Sequence, residues 1–181
     1  MGVRPARRRS GPAARPGLPP VETVTGPSTR PGVADFFAAR GVAVEIIATA
    51  QPTPTVQTAA AAHGVEPGRI AKTLAFRLKD DRVVLLVARG DARVDNRKFK
   101  ETFGKGRMLP PDEVAAITGH PVGGVCPFAL AQPLEVFLDL RLRDFDEVLP
   151  AAGSTHNAVR ISPGLIAELT DGRWVDVCDL G

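Results

Sequence analysis

Between residues 70 and 78 apolar side chains recur at every second position: Ile70, Leu74, Phe76 and Leu78 share one phase, which predicts a strand with one face turned to a core. Lys72 falls in that same phase. A lysine there either snorkels to solvent from the strand end or points its ammonium into a pocket where a ligand's negative charge compensates it, and the pattern leaves both readings open. The polar run Lys79-Asp80-Asp81-Arg82 and the continuous apolar segment 83–88 follow, so the two segments predict a β-hairpin.

Helical spacing with its punctuation predicts helices over 33–40, closed by Gly41; over 55–63, with four consecutive alanines and Gly64 as stop; and over 95–103, with Phe99 and Phe103 inward. A helix from Pro111 to about residue 117 carries proline in its first turn, and one over 163–169 is capped by Ser162. Strands are predicted at 42–47, 134–138, near Val148, at 157–161 and at 174–178, the last packed by Trp174, the sole tryptophan. Strands paired locally and interrupted by helices describe a single compact α+β domain, with packed helices on a mixed, largely antiparallel sheet, rather than a doubly wound nucleotide-binding fold.

Composition narrows the function. With 44% hydrophobic and 24% charged residues in 181, the chain has the profile of a soluble globular protein, and no apolar run approaches the ~20 residues a membrane span requires. Cys126 and Cys178 have neither metal-ligand spacing nor a disulfide framework, so no metal and no cofactor is expected, and a cytoplasmic location without membrane contact follows. The net charge of +3 is uneven: residues 1–32 hold six arginines against Glu22, which leaves the remainder mildly acidic. That stretch also holds seven of the 17 prolines and no apolar period, so it is expected to be a disordered basic tail ahead of a folded domain at 33–181. Arg7-Arg8-Arg9 lacks the apolar segment that an export signal needs, and Arg89-Gly90-Asp91 reads as a turn after a strand.

Two further segments carry candidate chemistry. Gly119-His120-Pro121-Val122-Gly123-Gly124-Val125-Cys126-Pro127-Phe128 combines adjacent glycines with flanking prolines, a loop whose amides can be held against a ligand. Ala152-Gly153-Ser154-Thr155-His156-Asn157 places small polar groups at a strand connection. With Gly68-Arg69-Ile70-Ala71-Lys72-Thr73-Leu74, these segments occur in an order that resembles the YbaK/ProX family of aminoacyl-tRNA deacylases, relatives of the editing domain of bacterial prolyl-tRNA synthetases. The resemblance runs from about Thr53 to Leu180, with Ala129 standing where many members have glycine.

The resemblance implies a hydrolase that cleaves the ester of a mischarged tRNA carrying a small amino acid, of the Cys-tRNA(Pro) or Ala-tRNA type. It implies Lys72, Gly123 and Gly124 as catalytic groups, with the two glycine amides stabilising an oxyanion, and Cys126, Pro127, Gly153, Ser154, His156 and Asn157 as substrate-binding residues. Its partners would be the aminoacylated 3′ end of tRNA and an aminoacyl-tRNA synthetase. A basic stretch at residues 89–107 is the expected tRNA face: if a helix starts near Arg93, then Arg93, Arg97 and Lys100 share one side of it. Two other readings are a cysteine hydrolase, with Cys126 as nucleophile and His120 or His156 as base, and a non-catalytic module that binds tRNA or a nucleotide in the same pocket. His63 is expected to sit favourably at a helix C-terminus.

Overall fold

The computed structural model describes residues 32–181, so all of the tail expected over residues 1–32 except Gly32 lies outside it. Strand β2 (Ile70–Leu78) and strand β3 (Val83–Arg89) form the expected antiparallel hairpin, with Leu74 opposite Leu86. Residues 84–88 of β3 are buried on both faces, which is why that segment reads as an unbroken apolar run. The sheet is mixed. Strand β5 (Gly106–Met108) pairs antiparallel with the end of β2, while β6 (Glu135–Asp139) lies parallel to β3, and β9 (Arg173–Val175) parallel to β6. The short β7 (Leu149–Pro150) runs parallel to the start of β2.

Helices pack on both faces of the sheet. Against one face pack α1 (Val33–Ala38), α4 (Pro111–Thr118) and α5 (Pro163–Thr170), through Phe37, Val114 and Ile166, onto Ala75, Leu85, Val87 and Leu138. Against the other packs α3 (Asn96–Phe103), where Phe99 and Phe103 meet Phe76 and Phe137 with ring centroids 4.7 Å apart in each pair. Local capping sets the helix starts: Thr55 exchanges hydrogen bonds with Thr58 at the head of α2 (Val56–His63), Asp95 accepts from Lys98 N–H on α3, and Ser162 accepts from Leu165 N–H on α5. Two small antiparallel ladders complete the fold, one joining β1 (Glu45–Ala48) to β8 (Asn157–Arg160), the other β4 (Ala92–Val94) to β10 (Cys178–Leu180).

The single last strand expected over 174–178 is two strands that break at Asp176 and Val177. The cause is Asp139, fully buried at the end of β6, whose Oδ2 accepts the N–H groups of both Val177 and Cys178 at 2.9 Å. A side-chain carboxylate thus takes the place of a ladder partner, and the chain leaves β6 to pair with β4. The three-residue strands β4 and β5 were not expected, because three residues carry no readable period.

Asp139→Ala strands two buried amides and is expected to lower unfolding free energy by about 2–4 kcal/mol, read from urea unfolding curves. By contrast, Gly32 already begins the α1 cap, accepting from Phe36 N–H at 3.0 Å. Removing residues 1–31 is therefore expected to leave the thermal midpoint nearly unchanged, and a large drop would show that those residues dock on the domain.

Candidate active site

The unpaired edge of β2 opens onto a cavity of about 360 Å³. The opening follows from how the ladders end. Leu78 N–H bonds Arg82 C=O on the β3 side, so even-numbered residues of β2 direct their main-chain groups to β3 and odd-numbered ones to the opposite edge. On that edge Lys79 N–H bonds Lys105 C=O and Leu109 N–H bonds Ala75 C=O, each at 2.9 Å. The next partner in register, opposite Thr73, is Pro111, which has no N–H and has already entered α4. From the other end β7 reaches Ile70 and Ala71 and no further. Thr73 is left between the two ladders, on the cavity wall, and its buried Oγ1 has no hydrogen-bond partner among the described residues.

Apolar side chains form most of the remaining wall, among them Val56, Ala59, Leu109, Val114, Val125 and Leu149. The glycine loop packs over it. Gly123 lines the cavity with φ near +86°, and a Cβ on Gly124 would fall 2.7 Å from the Ser154 backbone, so the loop can lie against the 153–157 turn only without side chains there. That turn is tied to the segment before α2, where Thr53 N–H and Thr53 Oγ1 both donate to Thr155 C=O, at 2.6 and 2.9 Å. Ser154 Oγ donates to Asn157 Oδ1, and both residues line the cavity.

Lys72 borders the same cavity, half-buried. Its ammonium donates to the carbonyls of Gly90, at 3.1 Å, and Ala92, so an internal anchor compensates much of the burial. Burial holds its pKa below the ordinary lysine value, opposed by neighbouring Cys178 and Asp91 and reinforced by Arg93. The anchoring turn is itself braced. Arg89 forks onto Asp91 at 2.8 and 2.7 Å and reaches Asp144 at 2.6 Å, over the ring of Phe145, and Gly90 sits too close to Pro67 C=O to carry a side chain. The Arg89-Gly90-Asp91 turn is thus the support on which Lys72 rests.

Of the residues expected at the site, Lys72, Gly123, Ser154 and Asn157 meet at the cavity. Gly124 and Gly153 stand behind it; the Gly124 N–H donates to Pro121 C=O at 2.9 Å and is committed to the loop rather than to an oxyanion. His156 is exposed, with Nδ1 3.2 Å from Thr155 Oγ1. Pro127 faces a separate surface groove beside Phe36 and Arg40. Cys126 is fully buried in the core, off the cavity, and burial pushes its thiol up to about 12. His120 Nε2 lies 2.7 Å from Phe128 C=O, which requires the proton on that nitrogen, so the nitrogen 3.5 Å from Cys126 Sγ is a donor and not a base. The cysteine-nucleophile reading fails on both counts.

Among the cavity residues to which the sequence assigned no role at the site are Thr73 and His63. His63 does end α2, as expected, but it also lines the cavity, and burial, then the charge of Arg160, hold its pKa below the ordinary histidine value. The expected tRNA face needs correction. The helix starts at Asn96 under its Asp95 cap, so Arg93 lies on β4 and shares no helical face with Arg97 and Lys100. Arg97 pairs with Glu101 at 3.0 Å, and Lys98 with Asp176 and Asp179, which offsets their charge; Lys100 is exposed. Among the described residues no His, Cys, Asp and Glu side chains cluster to hold a metal ion, and no helix is long and apolar enough to cross a membrane.

Comparison with known proteins gives this geometry a family. Residues 50–169 match the aminoacyl-tRNA editing domain. The chain is 50% identical over 126 residues to the uncharacterized protein YwhH of Bacillus subtilis, covering 68% of this chain and 80% of YwhH. It is 26% identical over 125 residues to EbsC of Enterococcus faecalis, provisionally named a Cys-tRNA(Pro)/Cys-tRNA(Cys) deacylase, covering 68% and 76% of the two chains. A crystal structure provisionally described as a trans-editing enzyme for prolyl-tRNA synthetase superposes with a TM-score of 0.75 at 30% identity, covering 81% of this chain and 94% of that one. With the cavity, its lysine and its glycine loop built on that same fold, the chain belongs to the aminoacyl-tRNA editing domain family.

Proposed function

We propose that this protein hydrolyses the ester joining a small, uncharged amino acid to the terminal ribose of a mischarged tRNA, of the Cys-tRNA(Pro) or Ala-tRNA type, as a free-standing partner to an aminoacyl-tRNA synthetase. The observation that carries the reading is the largely apolar cavity of about 360 Å³ with an anchored lysine on its wall. This volume admits a compact aminoacyl group with its sugar, and apolar walls disfavour a charged side chain. Water adds to the acyl carbon, the bond to the ribose oxygen breaks, and that oxygen takes the proton as the free amino acid leaves. An ester is already activated, so positioning and charge stabilisation suffice without a protein nucleophile.

Lys72 has three N–H donors, of which two are held by Gly90 and Ala92. The third is left for an oxygen of the ester or of the tRNA end. Because its anchor is rigid, this donor needs little reorganisation as negative charge develops. Gly123, with its amide not committed to another described residue, is the loop donor that remains after Gly124 N–H is assigned to Pro121.

For the tRNA body, Lys100 on α3 and Lys105 and Arg107 beside and within β5 are exposed cations without an ion-pair partner among the described residues. Arg107 is next to Met108, which lines the cavity and is 55% exposed. Phosphates tracking these three cations would deliver the 3′ end to the opening.

Lys72→Met is expected to lower kcat/KM on a cleavable aminoacyl-tRNA by ~10²-fold with the fold retained. Cys126→Ala should keep most of the activity. A panel of mischarged tRNAs with small amino acids is the deciding assay, and a folded protein that binds them all and protects their esters would establish the non-catalytic module instead. In the same assay, replacing Lys100, Lys105 and Arg107 together by alanine should raise KM much more than it lowers kcat. The slope of log affinity against log salt should flatten by roughly 2–3 units.

A further inference from the structure

We infer that the aminoacyl group docks as a one-residue strand addition opposite Thr73, closing the gap in the sheet that Pro111 leaves open, an inference that rests on the editing reading above. Thr73 lies opposite Val87 in a pair without mutual main-chain bonds, because the bonded pairs of this hairpin are those in step with Leu78 and Arg82. Its N–H and C=O therefore face the other edge, where Ala75 is met by Leu109 and Ala71 by β7, and where no main-chain partner for Thr73 stands among the described residues, only the cavity. Buried main-chain groups in native proteins are paired almost without exception, so an unpaired set on a cavity wall marks the place for a ligand that supplies the partners. The buried Thr73 Oγ1, without a partner among the described residues, is a second sign that hydrogen bonding is incomplete at this residue.

An amino acid ester carries the two groups the gap lacks, at the spacing of one residue. Its α-ammonium donates to Thr73 C=O, and its acyl carbonyl accepts from Thr73 N–H, which is how two residues of a bonded antiparallel pair meet. Rotation of the Thr73 side chain about χ1 would turn Oγ1, sealed off in the structure, toward the ammonium as a second acceptor. The N–H that holds the carbonyl also polarises it toward attack by water, giving the reacting atom a fixed main-chain donor. The arrangement selects for a free α-amino group. An N-acylated residue has one donor in place of three, has lost the charge, and brings bulk against the closed end of the strand gap.

The test compares wild type, Thr73→Val and Thr73→Ser on one aminoacyl-tRNA that wild type cleaves, with its N-acetylated form as a second substrate. Thr73→Val is expected to lose at least ~10-fold in kcat/KM while its thermal midpoint holds or rises, since it removes a buried hydroxyl with no partner. Thr73→Ser should restore most of the rate, and wild type should cleave the N-acetylated ester at least ~100-fold more slowly than the free one. Unchanged turnover by a folded Thr73→Val, or equal cleavage of free and N-acetylated esters by wild type, would overturn this inference and leave the deacylase reading standing. Wild type inert toward every aminoacyl ester would overturn both.

Discussion

A strand edge that cannot be paired from either side is the constraint on which the site depends. Pro111 denies β5 its next rung, and β7 extends only to Ala71. Had residue 111 carried an N–H, the ladder from Leu109 could have continued over Thr73 and filled the cavity with sheet. The same proline starts α4, whose Val114 then walls the cavity it has opened. One residue thus ends a strand, begins a helix and leaves a main-chain donor and acceptor facing an apolar space, at no cost beyond one unmade pair of hydrogen bonds.

The lysine is held by a second, remote set of constraints. Its ammonium depends on the carbonyls of Gly90 and Ala92, so its position is set by the turn between β3 and β4. Arg89 braces that turn from one side through Asp91 and Asp144; β10 braces it from the other by pairing Leu180 with Ala92. The register of β10 rests in turn on Asp139, which catches Val177 and Cys178. These contacts link the C-terminal residues to a side chain near the middle of the chain. They also explain why a half-buried ammonium is tolerated: the carbonyls replace the water it loses, and the pKa falls because that replacement is incomplete, with the charge of Arg93 adding to the fall.

Much of the fold was legible because its signals are local. Helix caps at Thr55, Asp95 and Ser162 act within four residues, and the period-2 pattern of β2 ends where the strand ends. What depends on distant partners was not legible: the break at Val177, made by a carboxylate 38 residues away, and the short ladders of β4 and β5. The site divides in the same way. Lys72 and Gly123 stand out as a charge in the apolar phase of a strand and as one of a glycine pair, whereas Thr73 looks like an ordinary strand threonine until Pro111 is seen opposite it. Cys126 sits within a motif yet serves the core, since a residue adjacent to a site loop is as easily directed inward as outward. The choice of residues within the basic stretch was not legible for a related reason: net charge counted along a segment ignores that Arg97 and Lys98 are already matched by Glu101, Asp176 and Asp179.

The chemistry left to such a site is set by which groups are free to act. Burial pushes both Cys126 and Cys178 up to about 12, so neither is a thiolate at neutral pH, and His120 holds its proton toward Phe128 C=O. Burial and then Arg160 hold His63 below its ordinary pKa, which favours the uncharged imidazole on the cavity wall. A free α-ammonium brought in by the substrate would otherwise have to share the space with two cations. With Lys72 turned toward Gly90 and Ala92 and His63 uncharged, the proposed docking would set a positive group at the main-chain edge of Thr73, where it would meet an acceptor rather than repulsion. In the proposed docking, charge and hydrogen bonding would therefore orient the amino acid the same way round: its ammonium toward Thr73, its ester carbonyl beside the main-chain donor, and its side chain against apolar walls that limit its size.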